Sequence, residues 1–263
     1  MLGLGHNIAT PMVSGEIPYS NDYYYTGVHA SATFVNTNSA MQTLFRSPWS
    51  FSGWFKWDDG QTNPGNSLFG VVHDINNFVW LNTGKNDSKI MLEYKANGDQ
   101  HSQITNAVCW GDGAATDWVH VAVSMSMDPG GNIASGIYIN GSQVTSTIAA
   151  NCTTSNAGSF TSTTNVFIGG IYSNLTSSIA ESLRGDMDDV AFHSRALSGA
   201  EVTELYNGGK SLDLRTISTS GDLVHYYTFN GQDGEDLGSG GSTATFAEEG
   251  HSFNAHADPL QAP

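Results

Sequence analysis

The sequence predicts an all-β fold, an antiparallel sandwich carrying one short helix, and three observations lead there. Only 13% of the 263 residues are charged while 30 are glycine, a composition suited to short strands joined by tight turns. Short apolar runs recur between clusters of turn residues. Residues 119–127 alternate strictly: Val119, Val121, Val123, Met125 and Met127 fall on one face, and His120, Ala122, Ser124 and Ser126 on the other. With 39% hydrophobic and 11% aromatic residues, a chain of this length can bury the core of one large sandwich.

Residues 1–29 hold Gly, Asn, Pro and the cluster Tyr23-Tyr24-Tyr25 without sustained periodicity, and read as an N-terminal arm or a first strand. Residues 30–215 read as the sandwich itself, with strands at 49–57, 67–73, 78–82 and 89–95 ahead of the alternating one. After the turn Asp128-Pro129-Gly130-Gly131, residues 136–144 predict a hairpin about Asn140-Gly141, because Asn-Gly takes positive φ readily. The Ser-, Thr- and Asn-rich stretch 149–165 reads as a polar loop or a flat exposed strand, and is a candidate contact surface.

The core resumes at Val166-Phe167-Ile168 and again at 187–192. Ser198 followed by Glu201 is a capping box, predicting a helix through Leu205 and Tyr206 that closes at Gly208-Gly209. Residues 216–263 read as a C-terminal strand at 223–229, a Gly- and Ser-rich segment at 231–241 and an irregular tail, which is expected to be mobile or partner-dependent. No internal repeat indicates a solenoid or propeller.

Charge and missing motifs exclude more than they identify. Twenty-five acidic against nine basic residues give a formal net charge of −16, which repels phosphate backbones and anionic lipid, so no nucleic-acid partner is expected. No apolar stretch approaches the roughly 20 residues of a membrane span. The start MLGLGHNIAT has no basic residue, the first being Arg46, so no signal peptide is expected and the protein is read as made in the cytoplasm. Cys109 and Cys152 could form one disulfide, but read more readily as thiols in that setting. Serine-nucleophile elbows, zinc-helix motifs and phosphate-binding loops are all missing from the sequence.

Five segments in a fixed order carry a resemblance. They are Phe51-Ser52-Gly53-Trp54-Phe55-Lys56, Asp117-Trp118-Val119-His120-Val121, Ile137-Tyr138-Ile139-Asn140-Gly141, Phe167-Ile168-Gly169-Gly170, and Gly185-Asp186-Met187-Asp188-Asp189-Val190 leading into Ser194-Arg195-Ala196-Leu197-Ser198. Over about residues 30–210 the chain resembles laminin-G-like domains of the concanavalin A-like lectin/glucanase superfamily. The resemblance implies a two-sheet antiparallel jelly-roll of roughly six or seven strands per sheet, with the binding face on the concave sheet or its loops. A strand like 223–229 comes first in many such domains; here it follows the helix, as a displaced strand or an appendage.

That late strand, the opening Met-Leu-Gly-Leu-Gly and the missing export signal look like laminin-G-like virion proteins of tailed bacteriophages. The implied role is a non-enzymatic virion accessory protein, a head decoration or tail appendage. It would contact other virion proteins through an end segment, adhere to a host-surface glycan, and form a homodimer or homotrimer. A cellular carbohydrate-binding module and an atypical carbohydrate-active enzyme are the alternatives. Related hydrolases carry a Glu-x-Asp-x-x-Glu array that this chain lacks.

The resemblance also implies calcium near the strand containing Asp188, whose hard oxygens suit that ion. Asp188 is the first candidate ligand, and Asp186 and Asp189 are weaker because neighbouring strand residues point to opposite faces. Hydrogen bonding of these carboxylates to backbone amides is the equal alternative. For sugar recognition the candidate platforms are Trp57, Trp80, Trp110 and Tyr172, against core packing. His120 and His193 are read as structural, as is Arg184-Gly185-Asp186 at the entrance to a strand.

Overall fold

The computed structural model describes residues 21–27, 35–37, 44–57, 67–83, 89–109, 118–127, 133–150, 166–173, 178–180, 182–183, 185–230, 234–241, 244–246 and 252–256. The early strands are β1 (Tyr23–Gly27), β2 (Val35–Thr37), β3 (Trp49–Trp57), β4 (Ser67–Asp74), β5 (Asn77–Thr83), β6 (Ile90–Ala96) and β7 (Asp99–Thr105). Then come β8 (Val119–Met127), β9 (Ile133–Ile139), β10 (Ser142–Gln143), β11 (Ser146–Ala150), β12 (Val166–Ile168), β13 (Ile171–Ser173), β14 (Ser178–Ala180) and β15 (Gly185–His193). The helix α1 (Gly199–Tyr206) precedes β16 (Leu223–Tyr227), β17 (Thr245–Phe246) and β18 (Ser252–Ala255).

These strands build two antiparallel eight-stranded sheets packed as a jelly-roll sandwich. Sheet A runs β10-β9-β8-β3-β15-β1-β18, with β16 also paired to β15. Sheet B runs β11-β7-β6-β5-β4-β12-β2-β17, and β13 and β14 form a small separate ribbon. Alternation decides what fills the space between the sheets: Val121, Val123 and Met125 from β8 meet Val79 and Leu81 from β5 and Leu92 and Tyr94 from β6. An aromatic knot sits among them, Phe51 and Phe69 with centroids 4.7 Å apart and Phe192 5.4 Å from Phe69. Each such fully buried side chain contributes about 2–3 kcal/mol of apolar transfer free energy.

A second core lies on the outer face of sheet A. Val202 and Leu205 of α1 press Leu197, Leu214 and Tyr226 against Ala122 and Ala191, so one end of this sheet is buried on both faces. That explains why Val190, Ala191, Phe192 and His193 are all buried, although strict alternation would expose every other one. The capping box closes as predicted, Ser198 accepting from Glu201 N while the Glu201 side chain accepts from Ser198 N. The helix runs to Tyr206 as expected, and its left-handed cap is Asn207, ahead of Gly208-Gly209, because Asn tolerates positive φ as glycine does. The β9–β10 turn is the expected one, Asn140 and Gly141 both at positive φ. A Cβ on Gly141 would lie 2.9 Å from the Tyr206 ring, so this glycine also lets the helix dock.

The late aromatic strand is part of the sandwich: β16 pairs with the second half of β15, from Val190 opposite Tyr227 to His193 opposite Leu223. The Gly- and Ser-rich stretch behind it folds back on that strand. Residues 234–241 strap the outer edge of β16, Leu237 N donating to Tyr226 O, Ser239 N to Leu223 O and Gly240 N to Val224 O. Glycine is needed for this close approach: a Cβ on Gly238 would lie 2.3 Å from Val224 O. The strap is pinned by Asp236, whose carboxylate meets His225 Nδ1 at 2.6 Å and accepts from Tyr226 N and Gly238 N. Of the contact surface expected at 149–165, residues 151–165 lie outside the described residues, as do residues 1–20, Cys152 and Arg184. No helix among the described residues is long and apolar enough to cross a membrane.

Candidate functional site

The predicted acidic residues sit on a β-bulge in the middle of sheet A. Asp188 lies opposite Trp54 of β3 and Ala191 opposite Ser52, so Asp189 and Val190 together face Gly53 alone. Asp189 takes φ 47°, and a Cβ on Gly53 would crowd Phe55 at 3.0 Å and Val190 at 3.3 Å. The partner strand also changes here, β1 pairing with residues 185–187 and β16 with the residues after the bulge. The extra residue resets the alternation: Met187 and Val190 both enter the core, leaving Asp188 and Asp189 between them directed away from it. This corrects the expectation that neighbouring strand residues Asp188 and Asp189 would point to opposite faces.

Each carboxylate is held by protein donors. Asp188 is fully buried; its Oδ1 accepts from Asp189 N at 2.8 Å and its Oδ2 lies 2.9 Å from His256 Nε2. Burial pushes its pKa well above the ordinary carboxylate value, opposed by the Asp189 N–H and by Asn21. Asp189 accepts from the Tyr226 hydroxyl at 2.7 Å and from Ser211 Oγ at 2.8 Å. Asp186 accepts from Thr26 Oγ1 at 2.7 Å. Among the described residues no three His, Cys, Asp or Glu side chains converge as a metal site. Beside the bulge, Trp54, His120, Asp189 and Leu205 line a cavity of about 10 Å³, room for one water and too small for a sugar.

Sequence reasoning passed over the aromatic residues that cover Asp188. Tyr24 of β1, Trp118 ahead of β8 and His256 after β18 form a cluster, with centroids 5.3 Å apart for Tyr24–Trp118, 4.8 Å for Tyr24–His256 and 5.7 Å for Trp118–His256. Tyr24 and Trp118 are half-buried, the His256 side chain is almost wholly buried beneath them, and the cluster lies on the outer face, since the neighbours Tyr25 and Val119 enter the core. The three residues come from distant parts of the chain, so no local motif could have announced them.

Of the predicted sugar platforms, Trp80 is placed on the outer face of sheet B. Val79 and Leu81 on either side of it point into the core, and its Nε1 donates to Ser67 Oγ at 2.7 Å, fixing the ring. Across the sheet it lies opposite Glu93, which lies opposite Ser102. The next row is Phe78, Lys95 and Gln100, with Lys95 Nζ 5.9 Å from the Phe78 centroid and Gln100 Nε2 donating to Glu93 Oε1 at 2.9 Å. Partial burial raises the Glu93 pKa, against Gln100 and Lys95. Trp110 and the side chains of Trp57 and Tyr172 lie outside the described residues.

This architecture is matched by the family model of the concanavalin A-like lectin/glucanases superfamily over residues 29–203. The chain belongs to that superfamily. No curated protein matches it in sequence. Among solved structures, 97% of the chain aligns with 68% of a protein from Bacteroides ovatus assigned to carbohydrate binding, at 17% identity and a TM-score of 0.59. A heptameric SAP-like pentraxin from Limulus polyphemus aligns over 90% of this chain and 96% of its own, at 13% identity and a TM-score of 0.52. The CBM40 of Ruminococcus gnavus IT-sialidase, bound to α2,3-sialyllactose, aligns over 72% of this chain and 100% of its own, at 13% identity and a TM-score of 0.50. At such identities the likeness is one of fold. The superfamily span includes the Trp80 face and the bulge; Tyr24 and His256 lie outside it.

Proposed function

We propose that this chain is a non-enzymatic glycan-binding module whose contact surface is the outer face of sheet B around Trp80. The observation that carries the reading is the row arrangement itself: two aromatic rings, Trp80 and Phe78, stand on β5, with Glu93 and Lys95 opposite them on β6 and Ser102 and Gln100 beyond on β7. Aromatic rings stack on the apolar faces of pyranoses, while fixed carboxylate and amide groups take the hydroxyls. Both kinds of group are preorganised, Trp80 by Ser67 and Glu93 by Gln100, so little side-chain entropy is lost on binding. A glycan array with the intact chain tests this. Binding that falls at least tenfold in Trp80→Ala supports the reading, and undiminished binding overturns this surface.

The finer reading is display on a tailed-phage virion, supported by the late strand at 223–229. Mass spectrometry of purified virions, finding or missing the chain at stoichiometric level, decides it. Calcium at Asp188 would require His256 to withdraw from Oδ2, and calcium content of Asp188→Ala against the unmodified chain is its test.

A further inference from the structure

We infer that a single chain carries a second glycan subsite on the opposite face of the sandwich, centred on Trp118 and Tyr24, and so can bridge two glycans without self-association. The inference rests on the glycan-binding reading above. Trp118, Tyr24 and His256 stand on the outer face of sheet A, whereas Trp80 stands on the outer face of sheet B. The buried core fills the space between, so the two surfaces point away from each other.

Beside the rings runs a fixed polar row. Asn254 Nδ2 donates to Thr26 Oγ1 at 2.8 Å and to Ser252 Oγ at 3.1 Å, and Thr26 Oγ1 donates to Asp186 Oδ1 at 2.7 Å. The Tyr24 and Trp118 rings meet edge to face at 82°, which locks their orientation. The combination repeats the chemistry of the Trp80 face: half-buried aromatic surface next to a carboxylate, an amide and hydroxyls whose positions are set before a ligand arrives. It differs in origin, because β1 and the segment 252–256 lie outside the span shared with the superfamily. The ligand class is an uncharged glycan: at this subsite Asp186 lies opposite Lys56, on the other face Glu93 is next to Lys95, so neither has a net cationic side-chain set, and the chain's formal −16 opposes an anionic sugar.

The test is calorimetric titration of the full chain with laminarihexaose, an uncharged β-glucan, alongside Trp80→Ala, Trp118→Leu and the double variant. Trp118→Leu keeps apolar bulk over Asp188, Tyr24→Ala is a second probe of the same subsite, and thermal melting confirms that each variant is folded. Two sites per chain, reduced to one in either single variant and to none in the double, is the expected result. A single site that Trp80→Ala removes and Trp118→Leu leaves intact overturns the second subsite while leaving the glycan-binding reading standing. A single site removed only by Trp118→Leu overturns both the two-site inference and the Trp80 surface. Absence of binding at millimolar concentration overturns the inference together with the reading beneath it.

Discussion

His256 Nε2 lies 2.9 Å from Asp188 Oδ2, and this contact fastens the end of the described chain to the β-bulge at the centre of sheet A. Both side chains are almost wholly buried, so neither exchanges the contact for water without moving β18. Burial disfavours charge on both, raising the Asp188 pKa and lowering that of His256. Replacing His256 by Ala therefore leaves a buried carboxyl group without one partner and should cost about 1–3 kcal/mol. Urea denaturation measures it; an unchanged midpoint would mean that β18 contributes nothing to the fold.

Acid should destabilise the protein well before most carboxylates titrate. Burial lowers the His120 pKa to about 3 and, with help from Arg195, that of His193 to about 4. The folded state holds these rings neutral, while the unfolded chain protonates them below the usual histidine value of about 6.5. The unfolded state thus binds more protons between about pH 6.5 and about pH 4, and stability falls as pH falls, by up to about 1.4 kcal/mol per pH unit per ring. Asp188 acts in the opposite direction, since its raised pKa favours the protonated folded state. Melting temperature should drop between pH 7 and pH 5, less steeply in His193→Leu, which also removes two ring nitrogens unpartnered among the described residues.

The strap over β16 gives a paired substitution test. Gly238→Ala drives a methyl group to within 2.3 Å of Val224 O and should cost about 1–3 kcal/mol. Gly221→Ala meets nothing within 4 Å and should change stability by no more than about 1 kcal/mol. Equal melting temperatures for the two variants would show that the strap is not held against the strand.

Because protein donors occupy Asp186, Asp188 and Asp189, adding calcium or a chelator should leave the melting temperature unchanged. A rise with calcium would show that His256 gives way to the ion.

What the sequence made legible were features written locally. The alternation of 119–127, the Asn140-Gly141 turn and the Ser198–Glu201 capping box each rest on residues within a few positions of one another, and each appears in the structure. Features set by distant partners stayed hidden. Gly238 and Gly240 read only as part of a Gly- and Ser-rich segment, but they are there because β16 passes within contact distance. Asp188 and Asp189 read as opposite-facing until the bulge against Gly53 resets the alternation. Trp80 was legible as a candidate because it is an aromatic residue near loop signals, whereas Trp118, Tyr24 and His256 meet only through the fold of distant segments.

The central claim is that the sandwich binds glycans through the Trp80 face, and titration of the intact chain and of Trp80→Ala with laminarihexaose tests it most directly. The account predicts binding by the intact chain and the loss of one site in the variant, with melting temperature preserved because Trp80 stands outside the core. Identical titrations for the two proteins, or none for either, would contradict it.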